Sequence, residues 1–136
     1  MVKIIMGLKG SGKTKQLIDL VNTAVSHETG EVVCIEKGQK LIYDIPHAVR
    51  LIEASDFGFS NYDFLRGFIS GLHAENYDIT HVFIDSLLKI IDQPIDAKTE
   101  DFVDWCESLS EKENIKFTIT ISADDSVATE GIKKYF

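Results

Sequence analysis

Residues 7–14 read Gly7-Leu8-Lys9-Gly10-Ser11-Gly12-Lys13-Thr14, and the fold is read outward from this octet. It fits the pattern G-x-x-x-x-G-K-[ST], a glycine-rich loop that wraps phosphate. Gly7, Gly10 and Gly12 let the backbone close around an anion, because glycine takes angles that other residues avoid. Successive backbone N–H groups then point inward as a nest.

The flanking residues supply the context such a loop needs. Val2, Ile4, Ile5 and Met6 form a short apolar run before it, which reads as a strand. Leu17, Ile18, Val21, Ala24 and Val25 follow at helical spacing. A helix starting at the loop adds the positive end of its dipole to the nest. In this arrangement Lys13 reaches the β- and γ-phosphates of a nucleoside triphosphate, and the Thr14 hydroxyl holds Mg²⁺. The plainer alternative is a glycine-rich turn that only joins strand to helix.

Composition bounds the rest. A length of 136 residues suits one domain with a real core and is short for two. A hydrophobic content of 44% and a charged content of 26% fit an ordinary globular chain. No apolar run has transmembrane length. The first strand begins at Met1 or Val2, which leaves no room for a signal peptide, so a cytoplasmic location is expected. Cys34 and Cys106 lack metal-ligand spacing and read as buried, reduced thiols. His27, His47, His73 and His81 lack such spacing too. The net charge of −8 and scattered Lys and Arg residues argue against a nucleic-acid face.

Further along, Glu31 to Glu36 reads as the second strand, with Gly30 closing the helix before it. Residues 37–48, which contain Pro46, read mostly as loop, and Val49 to Glu53 as a short extra strand. Ser60 with Asp63 resembles a capping box for a helix carrying Tyr62, Leu65, Phe68, Ile69 and Leu72 on one face. Ile79 to Asp85 reads as a strand. Thr99 is the expected cap of a helix with Phe102, Trp105, Cys106 and Leu109. Phe117 to Ser122 is the next strand, and Ser126 the expected cap of a last helix ending in Tyr135 and Phe136. Alternating strands and helices imply parallel, right-handed βαβ units. The expected fold is a three-layer α/β/α domain with a mostly parallel sheet.

Hydrolysis or transfer needs Mg²⁺ held by an acid and a group that aligns the nucleophile. Asp85 ends the run His81-Val82-Phe83-Ile84-Asp85, an aspartate at the carboxyl end of an apolar strand. That is the Walker B pattern, and ligands bind at such strand ends. Asp85 is therefore the expected second metal ligand beside Thr14. The plainer alternative is an aspartate that caps the next turn.

The ending Ile84-Asp85-Ser86 resembles the RecA-like branch of P-loop ATPases. The resemblance implies a catalytic glutamate at the tip of the strand after the first helix. In Val32-Val33-Cys34-Ile35-Glu36 that position is Glu36. It also implies a polar residue at the tip of the strand after Walker B. In Phe117-Thr118-Ile119-Thr120-Ile121-Ser122 this is Ser122, with Thr120 two residues earlier and Asp124 and Asp125 just beyond. The chain is also similar to a family of short bacterial P-loop proteins, found mostly in Gram-positive anaerobes. The likeness lies in the octet, in YDIPHAVRLIEASDFG (43–58), in GFISGLHAENYDI (67–79) and in FTITIS (117–122). Members are often labelled twitching-motility (pilus-retraction) ATPases or ATP-binding proteins. The likeness implies the fold and nucleotide binding.

RecA-like proteins usually carry a further strand beside the P-loop strand. Without one, that strand stands at a sheet edge with unpaired backbone groups. The last helix or a partner chain, such as a second copy, is expected to cover it. Three functions follow. The first is a weak Mg²⁺-dependent ATPase or ATP-dependent switch, in which Lys13 and the loop amides hold the phosphates and Glu36 acts as base. The second is a small-molecule, nucleoside-like kinase, with Tyr43, Asp44, His47, Asp56 and Phe57 forming an acceptor pocket. The likeness to thymidine kinases behind it lacks their second Walker B acid, which is Ser86 here, and their zinc lobe. The third is a non-catalytic nucleotide-binding module that docks a partner.

Overall fold

Among the described residues five strands form one sheet, and every strand pairing is parallel. The computed structural model describes residues 1–39 and 41–136; residue 40, inside the predicted loop of 37–48, lies outside the described residues. The strands are β1 (Val2–Gly7), β2 (Glu31–Glu36), β3 (Arg50–Glu53), β4 (Ile79–Ile84) and β5 (Lys116–Ser122), and they lie in the order β1-β5-β4-β2-β3. The helices are α1 (Lys13–His27), α2 (Tyr62–Glu75), α3 (Leu87–Ile91), α4 (Ala97–Glu113) and α5 (Glu130–Lys133). Among the described residues no helix is long and apolar enough to cross a membrane.

Strand alternation sends side chains to two faces, each with its own apolar cluster. Leu17, Val21 and Ala24 of α1 pack with Val32, Cys34 and Phe83. Leu41, Ile45 and Val49, from the segment between β2 and β3, complete that cluster. On the opposite face Val33, Ile35, Val82, Ile84, Ile119 and Ile121 meet Leu65 and Ile69 of α2 and Phe102, Val103 and Cys106 of α4. A parallel sheet buried on both faces favours apolar residues at nearly every position, as Val32–Ile35 of β2 and Val82–Ile84 of β4 provide, whereas β5 alternates apolar residues with the buried Thr118 and Thr120.

Several helix starts differ from the sequence reading. Asn61, not Ser60, caps α2: its side-chain oxygen accepts from Phe64 N at 2.8 Å. Asp96, not Thr99, caps α4, accepting from Lys98 N at 2.9 Å and Thr99 N at 3.2 Å. The Thr99 hydroxyl returns the bond by accepting from Asp96 N, and lies 2.9 Å from the Tyr62 hydroxyl, tying α4 to α2. Ser126 caps no helix. It sits in a single 3₁₀ turn, Asp125–Val127, and the last helix is the four residues after Thr129. The sequence reading contains no counterpart of α3, whose five residues are too few to show a period.

β1 stands at the sheet edge, as expected. The chain itself satisfies two of the outward N–H groups there. Ile4 N donates to the Tyr135 carbonyl at 2.8 Å, and Val2 N to the Glu107 carboxylate at 3.2 Å. The backbone demand behind the expected partner is thus met at Val2 and Ile4 from within.

Candidate functional site

The register brings the sequence-predicted residues to one edge of the sheet. Gly7 at the end of β1 pairs with Ser122 at the end of β5. Ile84 pairs with Ile119 on one side and with Ile35 on the other. Asp85 N donates to the Ile35 carbonyl at 2.9 Å, so Asp85 and Glu36 are the next residues on adjacent strands. Parity puts Glu36, Asp85, Thr120 and Ser122 on the α1 face, since Cys34 and Phe83 pack there. Carboxyl ends of parallel strands are where α/β sheets hold ligands.

The octet folds as a loop between β1 and α1. Gly10 and Gly12 both take φ of +87°, a left-handed conformation that disfavours any side chain. Gly7 belongs to β1 instead and serves by leaving room, because a Cβ there would collide with the Ser11 hydroxyl. Gly12 is the N-cap of α1 and no side chain caps that helix end. Lys13 is only 7% exposed, and its ammonium donates to the Leu8 carbonyl at 2.9 Å, closing the loop on itself.

A cavity of about 490 Å³ opens over this loop. Lys9, Lys13, Lys15 and Lys89 line it, together with Thr14, Ser86, Ser122 and the loop glycines. Thus, among the described residues, Lys9, Lys13, Lys15 and Lys89 converge on one cleft in a chain of net charge −8, and no acidic residue lines it. Like-signed charges around a concave site focus the field on an anion. Lys9 and Lys13 were legible in the octet. Ser86 was read in the Ile84-Asp85-Ser86 ending, but not as a lining residue. Lys15 and Lys89 were not singled out: Lys15 stands one residue past the pattern, and Lys89 belongs to α3, which the sequence does not reveal.

Asp85 lies just behind this cleft, 6% exposed. The Thr120 hydroxyl donates to its carboxylate at 2.7 Å and accepts from Ser86 N at 2.7 Å. Ser86 itself has φ of +56°, a left-handed angle held by that bond and by the start of α3. The two polar residues nearest the tip of β5 therefore divide: Ser122 faces the cleft, and Thr120 orients Asp85. Asp124 and Asp125 sit in an exposed turn, where the Asp124 carboxylate accepts from Ser126 N and titrates below its usual range for that reason.

Glu36 does not line the same cavity. It is 2% exposed and accepts from Leu41 N at 2.9 Å. One strand, β4, lies between its strand and that of Ser122, and two strand spacings amount to about 10 Å. It forms part of a second cavity of about 430 Å³, with Ile42, Arg50, Glu53, Asp56 and Phe57. Burial pushes the Glu53 carboxyl up, but hydrogen bonds from Ser55, Gly38 and Gln39 outweigh it and hold the group below its ordinary value. Those bonds fix the loop leaving β2. Of the predicted acceptor residues, Asp56 and Phe57 reach this cavity. Tyr43 is 94% exposed, and Asp44 and His47 are not among the lining residues. The Cys34 thiol is pushed far up by burial and by the nearby Asp85 and Glu36 carboxylates, so it is an inert core thiol.

The chain matches no protein-family model and no curated protein sequence.

Proposed function

We propose that this chain is a RecA-like P-loop protein that binds ATP with Mg²⁺ through residues 7–14 and hydrolyses it slowly, as a weak ATPase or an ATP-dependent switch. The observation that carries the reading is the lysine-lined cleft over a loop with two left-handed glycines at the start of α1. Loop amides and Lys13 would hold the phosphates once Lys13 leaves the Leu8 carbonyl. The Thr14 hydroxyl and the Asp85 carboxylate are hard oxygen donors. Mg²⁺ takes one or two such protein oxygens beside phosphate oxygens and water, so the donor set fits that ion. When bound, it would neutralise charge on the β- and γ-phosphates.

In hydrolysis a water oxygen attacks the γ-phosphorus and the bond to the β,γ-bridging oxygen breaks, giving ADP and phosphate. Glu36 is the base in this reading, and Ser122 the residue that meets the γ-phosphate; because Glu36 opens on the neighbouring cavity and accepts from Leu41 N, its carboxylate has to turn from that bond toward the cleft to reach the attacking water. Neither arginine is free at the cleft: Arg66 pairs with Asp63 at 2.7 Å, and Arg50 lines the second cavity. An arginine finger is worth about 10³–10⁵ in rate, so turnover by the chain alone is slow.

The second cavity favours one further reading, a small-molecule kinase whose acceptor hydroxyl sits beside Glu36. Binding and turnover of Mg²⁺-ATP by the purified protein test both, with Lys13→Ala as control. Slow, Lys13-dependent phosphate release supports the ATPase. Binding without release points to the switch or to a kinase lacking its acceptor. Unchanged ATP affinity in Lys13→Ala overturns the loop assignment.

A further inference from the structure

We infer that Lys89 reads the terminal phosphate of the bound nucleotide and so makes this cleft prefer a triphosphate to a diphosphate; the inference rests on the nucleotide-binding reading above. Lys89 stands on α3, on the β4 side of the cleft, across from the glycine loop at the end of β1. It is exposed, and its side chain takes part in none of the hydrogen bonds or ion pairs formed among the described residues; its backbone N donates to the Ser86 carbonyl at 3.0 Å. Its neighbour Ser86, at the other end of the same short turn, lines the cleft as well. A β-phosphate seated in the loop amides leaves the next phosphate extending toward β4, where Lys89 waits.

The position of its ammonium adds a second consequence. An atom placed at the Cβ position of Gly38 would lie 3.2 Å from Lys89 Nζ. Lys89 thus rests over the backbone of the loop leaving β2, next to the amides that Glu53 holds at 2.8 Å. The same side chain faces the phosphate cleft and the loop that walls the Glu36 cavity. A lysine that moves onto a terminal phosphate withdraws from Gly38, so occupancy by triphosphate or diphosphate is expressed at the second cavity. Such a device does not need an arginine from another chain.

The test is the ratio of ATP to ADP affinity, measured by calorimetric titration of the purified chain with Mg²⁺ and each nucleotide. Lys89→Met should lower ATP affinity about fivefold to tenfold, the size of one charge-assisted hydrogen bond in an open cleft, and change ADP affinity less than twofold. Lys89→Arg should restore most of the ratio, which a merely structural role for Lys89 would not produce. Equal losses for ATP and ADP, or an unchanged ratio, overturn the role of Lys89 while leaving the nucleotide-binding reading intact. Failure of the unsubstituted protein to bind either nucleotide overturns both. Because Lys89 is exposed, its replacement should not disturb folding, and a thermal melt of each variant verifies that.

Discussion

Replacing Thr120 with valine removes one hydroxyl and keeps the shape, so it isolates the bond network behind the cleft. Thr120 is fully buried, donates to the Asp85 carboxylate at 2.7 Å and accepts from Ser86 N at 2.7 Å. Valine leaves a nearly buried carboxylate oxygen without its donor and a backbone N–H without its acceptor. A hydrogen bond to a charged group contributes about 1.5–3 kcal/mol, and a stranded buried polar group costs about 1–3 kcal/mol. The Ser86 end is only partly buried, so water recovers some of its share, and the expected total is about 3 kcal/mol. With an unfolding entropy of about 2.1 cal/mol/K per residue, a chain of 136 residues loses about 10 °C in Tm. Thr120→Ser keeps both bonds and loses only a buried methyl, at about 1 kcal/mol. Urea unfolding and thermal melts of both variants supply the numbers. A valine variant as stable as the serine variant would refute the claim that this hydroxyl holds Asp85 and Ser86 in place.

Two further outcomes are expected. Glu36→Gln should keep ATP affinity within about twofold, since the amide oxygen can still accept from Leu41 N, and should lose most phosphate release, because a neutral amide is no base; unaltered turnover moves the base elsewhere, first to Asp124 or Asp125. The second concerns pH. His81 stacks on Phe83 with ring centroids 4.0 Å apart, and burial pushes its imidazole down to about 4 against the opposing Glu28 carboxylate. An unfolded histidine titrates near 6.5, so below that pH the unfolded chain binds a proton that the folded chain refuses. The stability from neutral His81 is whole above pH 6.5 and is lost as pH falls toward 4. Between pH 7 and pH 5 the loss is about 2 kcal/mol; His81→Gln should lose under half of that in urea titrations at the two pH values, and equal slopes would dismiss His81 as the source.

Legibility of this chain in its sequence tracks how local each signal is. The octet declares a loop because Gly10 and Gly12 are needed at left-handed angles whatever surrounds them. The strand at Glu31–Glu36 stood out as an apolar run, which a sheet covered on both faces demands. Helix caps were misread by one to three residues: Ser60, Asn61, Asp96 and Thr99 are all good cap formers, and their choice depends on where the chain bends. The helix at Leu87–Ile91 escaped because five apolar residues look the same in a strand, a turn or a helix.

What the amino-acid order determines by itself is the strand–glycine loop–helix start, the alternation that forces parallel βαβ units, and the acids placed at strand ends. Each depends on backbone angles or side-chain period within a few residues. Only the tertiary structure decides that Lys89 joins Lys9, Lys13 and Lys15 around one cleft, that Thr120 orients Asp85 while Ser122 faces the cavity, and that Glu36 opens onto a different pocket. Those facts follow from strand order and register, which bring residues more than thirty positions apart into contact; no local spacing encodes that pairing.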